Sequence, residues 1–138
     1  MDQEFVLNHP SGLRISRELL EAAFIDSTAG RNARVLDMRT GWKWYQLPVL
    51  SDGDMTVGIS LGFESGRLRQ VTLGDASTEL GSSWDDWSEA KEQLKADRIR
   101  DWLAVMGLAP GIYHWGEVWA GFDPKGGFGG ATIRYYTR

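Results

Sequence analysis

The sequence predicts an α+β domain: a twisted antiparallel sheet of about six strands with two helices, in the order β-α-β-β-β-β-α-β-β. Three features predict it. Met55 to Glu64 alternates apolar with small or polar residues, the period of a strand half-buried on a sheet. Trp84 to Met106 repeats apolar residues at helical spacing between good cap residues. Tyr113 to Thr137 is strand-like on both sides of one turn signal, Asp123-Pro124-Lys125-Gly126. The 138 residues fit one domain, 1–138, and 42% apolar content is enough for a core.

The elements follow in order. Phe5-Val6-Leu7 reads as a short strand stopped by Asn8-His9-Pro10. A first helix follows, with Ser16 as N-cap, Ile15 and Leu20 as a hydrophobic staple, and Leu19, Leu20, Ala23 and Phe24 as its apolar stripe. Ser27 to Gly30 ends it. Val35 to Met38 and Trp42 to Leu50 are the next strands, the second an edge or bulged at Pro48, which has no N–H to donate.

Asp52-Gly53 then signals a hairpin into Met55–Glu64, and Ser65-Gly66 a tight turn into Arg67 to Leu73. If Glu64 opposes Arg67, uninterrupted pairing sets Gly58 against Leu73 and Ser60 against Val71. The second helix, Trp84 to Met106, has Ser83 as its cap. Its stripe is Trp87, Ala90, Leu94, Ile99, Trp102, Leu103 and Met106, with Gly107 just past its end. In the last hairpin, Tyr113 to Phe122 pairs with Phe128 to Thr137; Trp115, Glu117 and Trp119 share one face.

Composition narrows the function. There are no cysteines, so disulfides, thiolate metal sites and a Cys nucleophile are excluded, and a reducing compartment suits the chain. Met1 to Leu7 has no basic, apolar leader pattern and no window is long enough to span a membrane, so the expected location is the cytoplasm. The formal charge of −4 opposes nucleic-acid binding. The acidity is local: residues 51–97 hold ten acids against four bases. It concentrates at Asp75, Glu79, Asp85, Asp86, Glu89 and Glu92, opposed within that block only by Lys91.

Motifs for chemistry are sparse. His114 and Glu117, three apart on a strand, point to opposite faces and make poor partners. His9 sits before a proline in a turn, and no His/Asp/Glu spacing matches a metal motif. Gly126-Gly127-Phe128-Gly129-Gly130 lacks the Lys-Ser or Lys-Thr of a phosphate loop and reads as a hairpin loop leaving room for rings. Trp42-Lys43-Trp44-Tyr45 puts both indoles on one face and Lys43 on the other, too little charge for a nucleic-acid groove. Trp115, Glu117 and Trp119 together resemble a sugar site, with rings to stack and an acid between them. Set against that, both indoles would pack in the core while Glu117 pairs with a cross-strand Arg such as Arg134.

Two stretches carry a family resemblance: Ser83-Trp84-Asp85-Asp86-Trp87-Ser88-Glu89, and Trp115-Gly116-Glu117-Val118-Trp119-Ala120-Gly121-Phe122-Asp123-Pro124-Lys125-Gly126-Gly127 with Ile133-Arg134-Tyr135. They resemble uncharacterised small bacterial proteins with a Trp-rich helix start and a W-G-x-V…F-D-P-K-x-G hairpin. That group is similar to immunity proteins of bacterial toxin systems. The resemblance covers roughly the second half of the chain, with Leu61 to Leu68 as weaker support. It implies a monomer or weak dimer without cofactor, metal or catalytic residues, which neutralises a toxin by occluding it. The acidic block Asp75, Glu79, Asp85, Asp86, Glu89 and Glu92 is then the expected contact for a basic protein toxin. The alternative is a small enzyme or carbohydrate-binding module using Trp115, Glu117 and Trp119.

Overall fold

The computed structural model describes residues 4–53, 55–76, 88–123 and 128–136, the Phe128 side chain excepted. The fold is α+β, with more strands than the sequence predicts. β1 (Leu7–Asn8) and β2 (Arg14–Ile15) form a short ribbon. Helices α1 (Glu21–Asp26) and α2 (Thr28–Arg31) follow. The sheet comprises β3 (Arg34–Asp37), β4 (Trp42–Gln46), β5 (Leu50–Asp52), β6 (Met55–Glu64), β7 (Arg67–Asp75), β8 (Gly111–Ile112), β9 (Gly116–Asp123) and β10 (Phe128–Tyr135). Helix α3 (Glu89–Val105) lies between β7 and β8 in the chain. The strand order is β3-β4-β6-β7-β10-β9-β8, with β5 also paired to β6, and every pairing is antiparallel.

Local chemistry explains where the elements begin and end. The first helix starts later than expected and is split. Ser16 is buried and caps nothing; Leu20 takes the N-cap position of α1 without a side-chain bond. Ser27 does the capping instead, accepting the Gly30 N–H at 3.0 Å to start α2. The strand expected from Trp42 to Leu50 breaks at Pro48, giving β4 and β5. The Ser65-Gly66 turn has positive φ at both residues (50° and 84°), as a type I′ hairpin requires.

The β6–β7 register corrects the expected one. Glu64 does oppose Arg67, but a bulge beside Gly62/Phe63 leaves Arg69 as the extra residue. Gly58 then opposes Gly74, and Ser60 opposes Thr72. The reason lies in β7: Leu68 and Val71 are three apart, and only an extra residue turns both towards the core, where both are buried.

Helix α3 starts at Glu89, with Ser88 accepting the Lys91 N–H at 3.1 Å. Ser83, Trp84 and Trp87, expected to open this helix, lie outside the described residues. Ala96, Ile99, Trp102 and Leu103 face inward. Leu94, expected in that stripe, is 45% exposed, and Ala90 is exposed too. The helix ends in a Schellman motif: Gly107, at φ 85°, donates to the Ala104 carbonyl and Leu108 to that of Leu103.

Among the described residues, all three helices and the β1–β2 ribbon sit on one side of the sheet. Val57, Ile59, Leu61, Phe63, Val71, Leu73, Ile133 and Tyr135 meet them there in one core cluster. Phe24 of α1 packs edge-on against Tyr45 at 4.9 Å, and the Tyr135 hydroxyl donates to the Phe5 carbonyl. Helix α3 lies close enough to β10 that a Cβ on Gly129 would sit 1.7 Å from the Glu92 carbonyl oxygen. Among the described residues, no helix packs on the opposite face of the sheet. Nor is any helix among them long and apolar enough to cross a membrane.

Candidate functional site: two exposed surfaces

The acidic block does not form one surface. The Asp75 side chain is fully buried at the end of β7, 3.0 Å from the Arg98 guanidinium. This ion pair fastens β7 to α3. Glu92 is also buried: its carboxylate accepts the Gly129 N–H at 3.2 Å and meets the Lys95 ammonium at 2.9 Å. Both contradict the expectation of an accessible contact, because each carboxylate satisfies a partner between helix and sheet. Glu89 is exposed. Glu79, Asp85 and Asp86 lie outside the described residues.

Structure reveals a different acidic arrangement on the outer side of α3. Glu89, Asp97 and Asp101 are exposed along it, against one base, Arg100, which lies 3.2 Å from Asp97 and 3.9 Å from Asp101. Leu94 (45% exposed) and Val105 (88% exposed) share this side. Helical geometry accounts for the grouping, since positions 89, 93, 94, 97, 100, 101 and 105 fall within one broad arc. Asp97 and Asp101 could have been found from the sequence by continuing the helical wheel past Glu92.

The helix-free face of the sheet is the second surface. Its residues line up across strands: Glu117, Arg134 and Gln70 in one row, Trp119, Thr132, Thr72 and Ser60 in the next. Glu117 pairs with Arg134 at 3.0 Å, as the cross-strand reading expects. Trp119 is 41% exposed and leans over Gly121, where a Cβ would lie 3.3 Å from the ring. Around it Gln70, Glu117, Thr132 and Arg134 border a depression of about 420 Å³. A second depression, of about 470 Å³, lies between Leu36, Trp44, Gln46, Ser60 and Thr72. The Trp44 ring rests directly on Gly62 and stacks with Trp42 at 5.9 Å. Lys43 points the other way, 3.7 Å from Glu21.

Trp115 does not belong to this face. It is fully buried, stacked on Tyr113 at 5.2 Å and tilted against Tyr135. It lies in the turn that precedes β9, so strand alternation begins only at Gly116. The expected trio of Trp115, Glu117 and Trp119 is therefore broken.

Of the remaining titratable candidates, His9, Tyr45 and Tyr135 are tied into the fold. His9 is buried; its Nδ1 accepts the Ser11 N–H at 3.2 Å, and its Nε2 lies 3.4 Å from the Pro48 carbonyl. His114 is exposed in the turn before β9, while Glu117 is held by Arg134. Burial, and then a 2.6 Å hydrogen bond donated to Glu21, push the Tyr45 phenol up to about 12. Burial raises Tyr135 as well. Among the described residues, no group of three His, Asp or Glu side chains could hold a metal ion.

Compared with known proteins, the chain matches no family model, no curated protein and no solved structure.

Proposed function

We propose that this chain is an immunity-type binding protein of the bacterial cytoplasm, which neutralises a basic protein toxin by covering it. The observation that carries the reading is the outer side of α3. Three exposed acids, Glu89, Asp97 and Asp101, stand there against one base, interleaved with exposed Leu94 and Val105. Negative charge steers a basic partner into encounter, and apolar residues among the charges give the contact something to bury. The inner side of the same helix is fixed by Trp102, Ile99 and the Asp75–Arg98 pair, so the surface is rigid before contact. Toxins that cleave nucleic acid need a positive surface for phosphate, and an inhibitor can use that same surface. The resemblance of the Trp-rich helix start and the C-terminal hairpin to immunity-like proteins points the same way.

The experiment is protection in cells. The chain is co-expressed with a candidate basic toxin encoded by a neighbouring gene, as wild type and as the triple variant Glu89→Lys, Asp97→Lys, Asp101→Lys. Wild type restores growth and the folded variant does not. Full protection by the variant would move the binding surface off α3.

A further inference from the structure

We propose that the depression beside Trp119 is a binding subsite for a neutral saccharide. It stands apart from the toxin-binding surface, because α3 and Trp119 lie on opposite sides of the sheet. Trp115 and Trp102 are buried, whereas Trp119 opens onto the helix-free face with 41% of its surface exposed. Its position is set from beneath: it leans on the bare backbone of Gly121, where a methyl group would press against the ring at 3.3 Å. An exposed ring held in place by the main chain is a platform that loses little freedom when something stacks on it.

The groups around the platform decide what stacks. Thr132 is directly opposite Trp119 across the β9–β10 pair. One row further, Glu117, Arg134 and Gln70 stand side by side on β9, β10 and β7. This row presents carboxylate oxygens, guanidinium N–H groups and an amide within reach of one ring-sized ligand. Glu117 and Arg134 neutralise each other at 3.0 Å yet stay solvent-accessible at 34% and 60%, so both keep capacity for further hydrogen bonds. A pyranose matches this arrangement. It has an apolar C–H face to lie on an indole and a rim of hydroxyls that both donate and accept. The depression, about 420 Å³, is within the range of small-molecule sites. A nucleoside's planar base lacks the hydroxyl rim that this polar row would engage, and a nucleotide's phosphate needs net positive charge, whereas Glu117 and Asp123 outnumber Arg134 in the lining.

The test follows the Trp119 indole N–H in ¹⁵N-labelled whole chain by NMR. The probes are cellobiose, maltose, lactose and diacetylchitobiose at millimolar concentration, with adenosine as a stacking control. At least one disaccharide should shift the Trp119 signal saturably, while adenosine does not. Trp119→Ala should weaken that binding at least about tenfold, read from neighbouring backbone signals of β9 and β10. Gln70→Ala should weaken it less, by about threefold, as loss of one hydrogen bond. If no disaccharide moves the Trp119 signal, or adenosine saturates it as tightly as any sugar, the proposal fails. It also fails if binding survives Trp119→Ala unchanged. None of these outcomes bears on protection by α3 variants.

Discussion

The two sides of the sheet meet solvent in different ways. On one side the described sheet is roofed by α3 and the N-terminal segments, and solvent meets the outer surfaces of those elements, among them the acidic back of α3. On the other side solvent reaches the sheet itself, with Trp44 and Trp119 standing on it. Glycine serves both arrangements. Gly129 lets the α3 backbone approach β10, whereas Gly62 and Gly121 seat indole rings. The lesson is that a tryptophan's role here follows from the face it occupies. Trp102, beneath the roof, is 8% exposed and donates its indole N–H to Asp52 at 2.8 Å. Trp119, on the open face, makes its ring available.

Truncating the two indoles is the sharpest way to break this comparison. Trp102→Ala should lower unfolding free energy by about 3–5 kcal/mol, from cavity formation and the lost Asp52 bond. Chemical denaturation reads it as a lower midpoint. A midpoint equal to wild type would mean that α3 does not anchor the core. The Asp75 carboxylate comes next. Asp75→Asn leaves Arg98 facing a neutral amide in a buried site, which costs about 1–3 kcal/mol. This substitution should leave toxin association unchanged, because Asp75 is a tie between β7 and α3. Slower association by a fully folded Asp75→Asn would return Asp75 to the binding surface. The smallest effect is on the open face: Trp119→Ala should alter stability by no more than about 0.5 kcal/mol. A loss comparable with that of Trp102→Ala would show Trp119 to be part of the core.

The sequence carried the fold to different depths in different places. The β6–β7 and β9–β10 pairings were legible because alternation, and for β6–β7 the turn residues too, agree with the structure, down to Glu64 opposite Arg67 and Glu117 opposite Arg134. Pro124, Lys125 and Gly126 of the expected β9–β10 turn lie outside the described residues. The bulge at Arg69 was also written there, in the three-residue step from Leu68 to Val71, and an assumption of strict alternation hides it. β5 and β8 are too short to show a period. Ser16 and Ser27 are equally good caps by type; only the packing of Phe24 and Ala29 under the sheet selects Ser27. For the surfaces, charge density along the chain misled. Asp75 and Glu92 belong to a dense run, yet each points between helix and sheet to a partner distant in sequence, Arg98 and Gly129. Asp97 and Asp101 lie beyond that run and reach solvent through helical periodicity. The row of Gln70, Arg134 and Glu117 needs the pairing order of three strands, which no local pattern encodes.

Association kinetics test the central claim most directly, that the back of α3 steers and meets a basic toxin. The on-rate is measured against ionic strength for a candidate basic toxin encoded by a neighbouring gene, with wild type and with the Glu89→Lys, Asp97→Lys, Asp101→Lys variant. Wild type should associate fast at low salt and slow steeply as salt rises, while the variant associates slowly with a flat or reversed salt dependence. Equal on-rates and equal salt slopes for the two proteins would contradict the account.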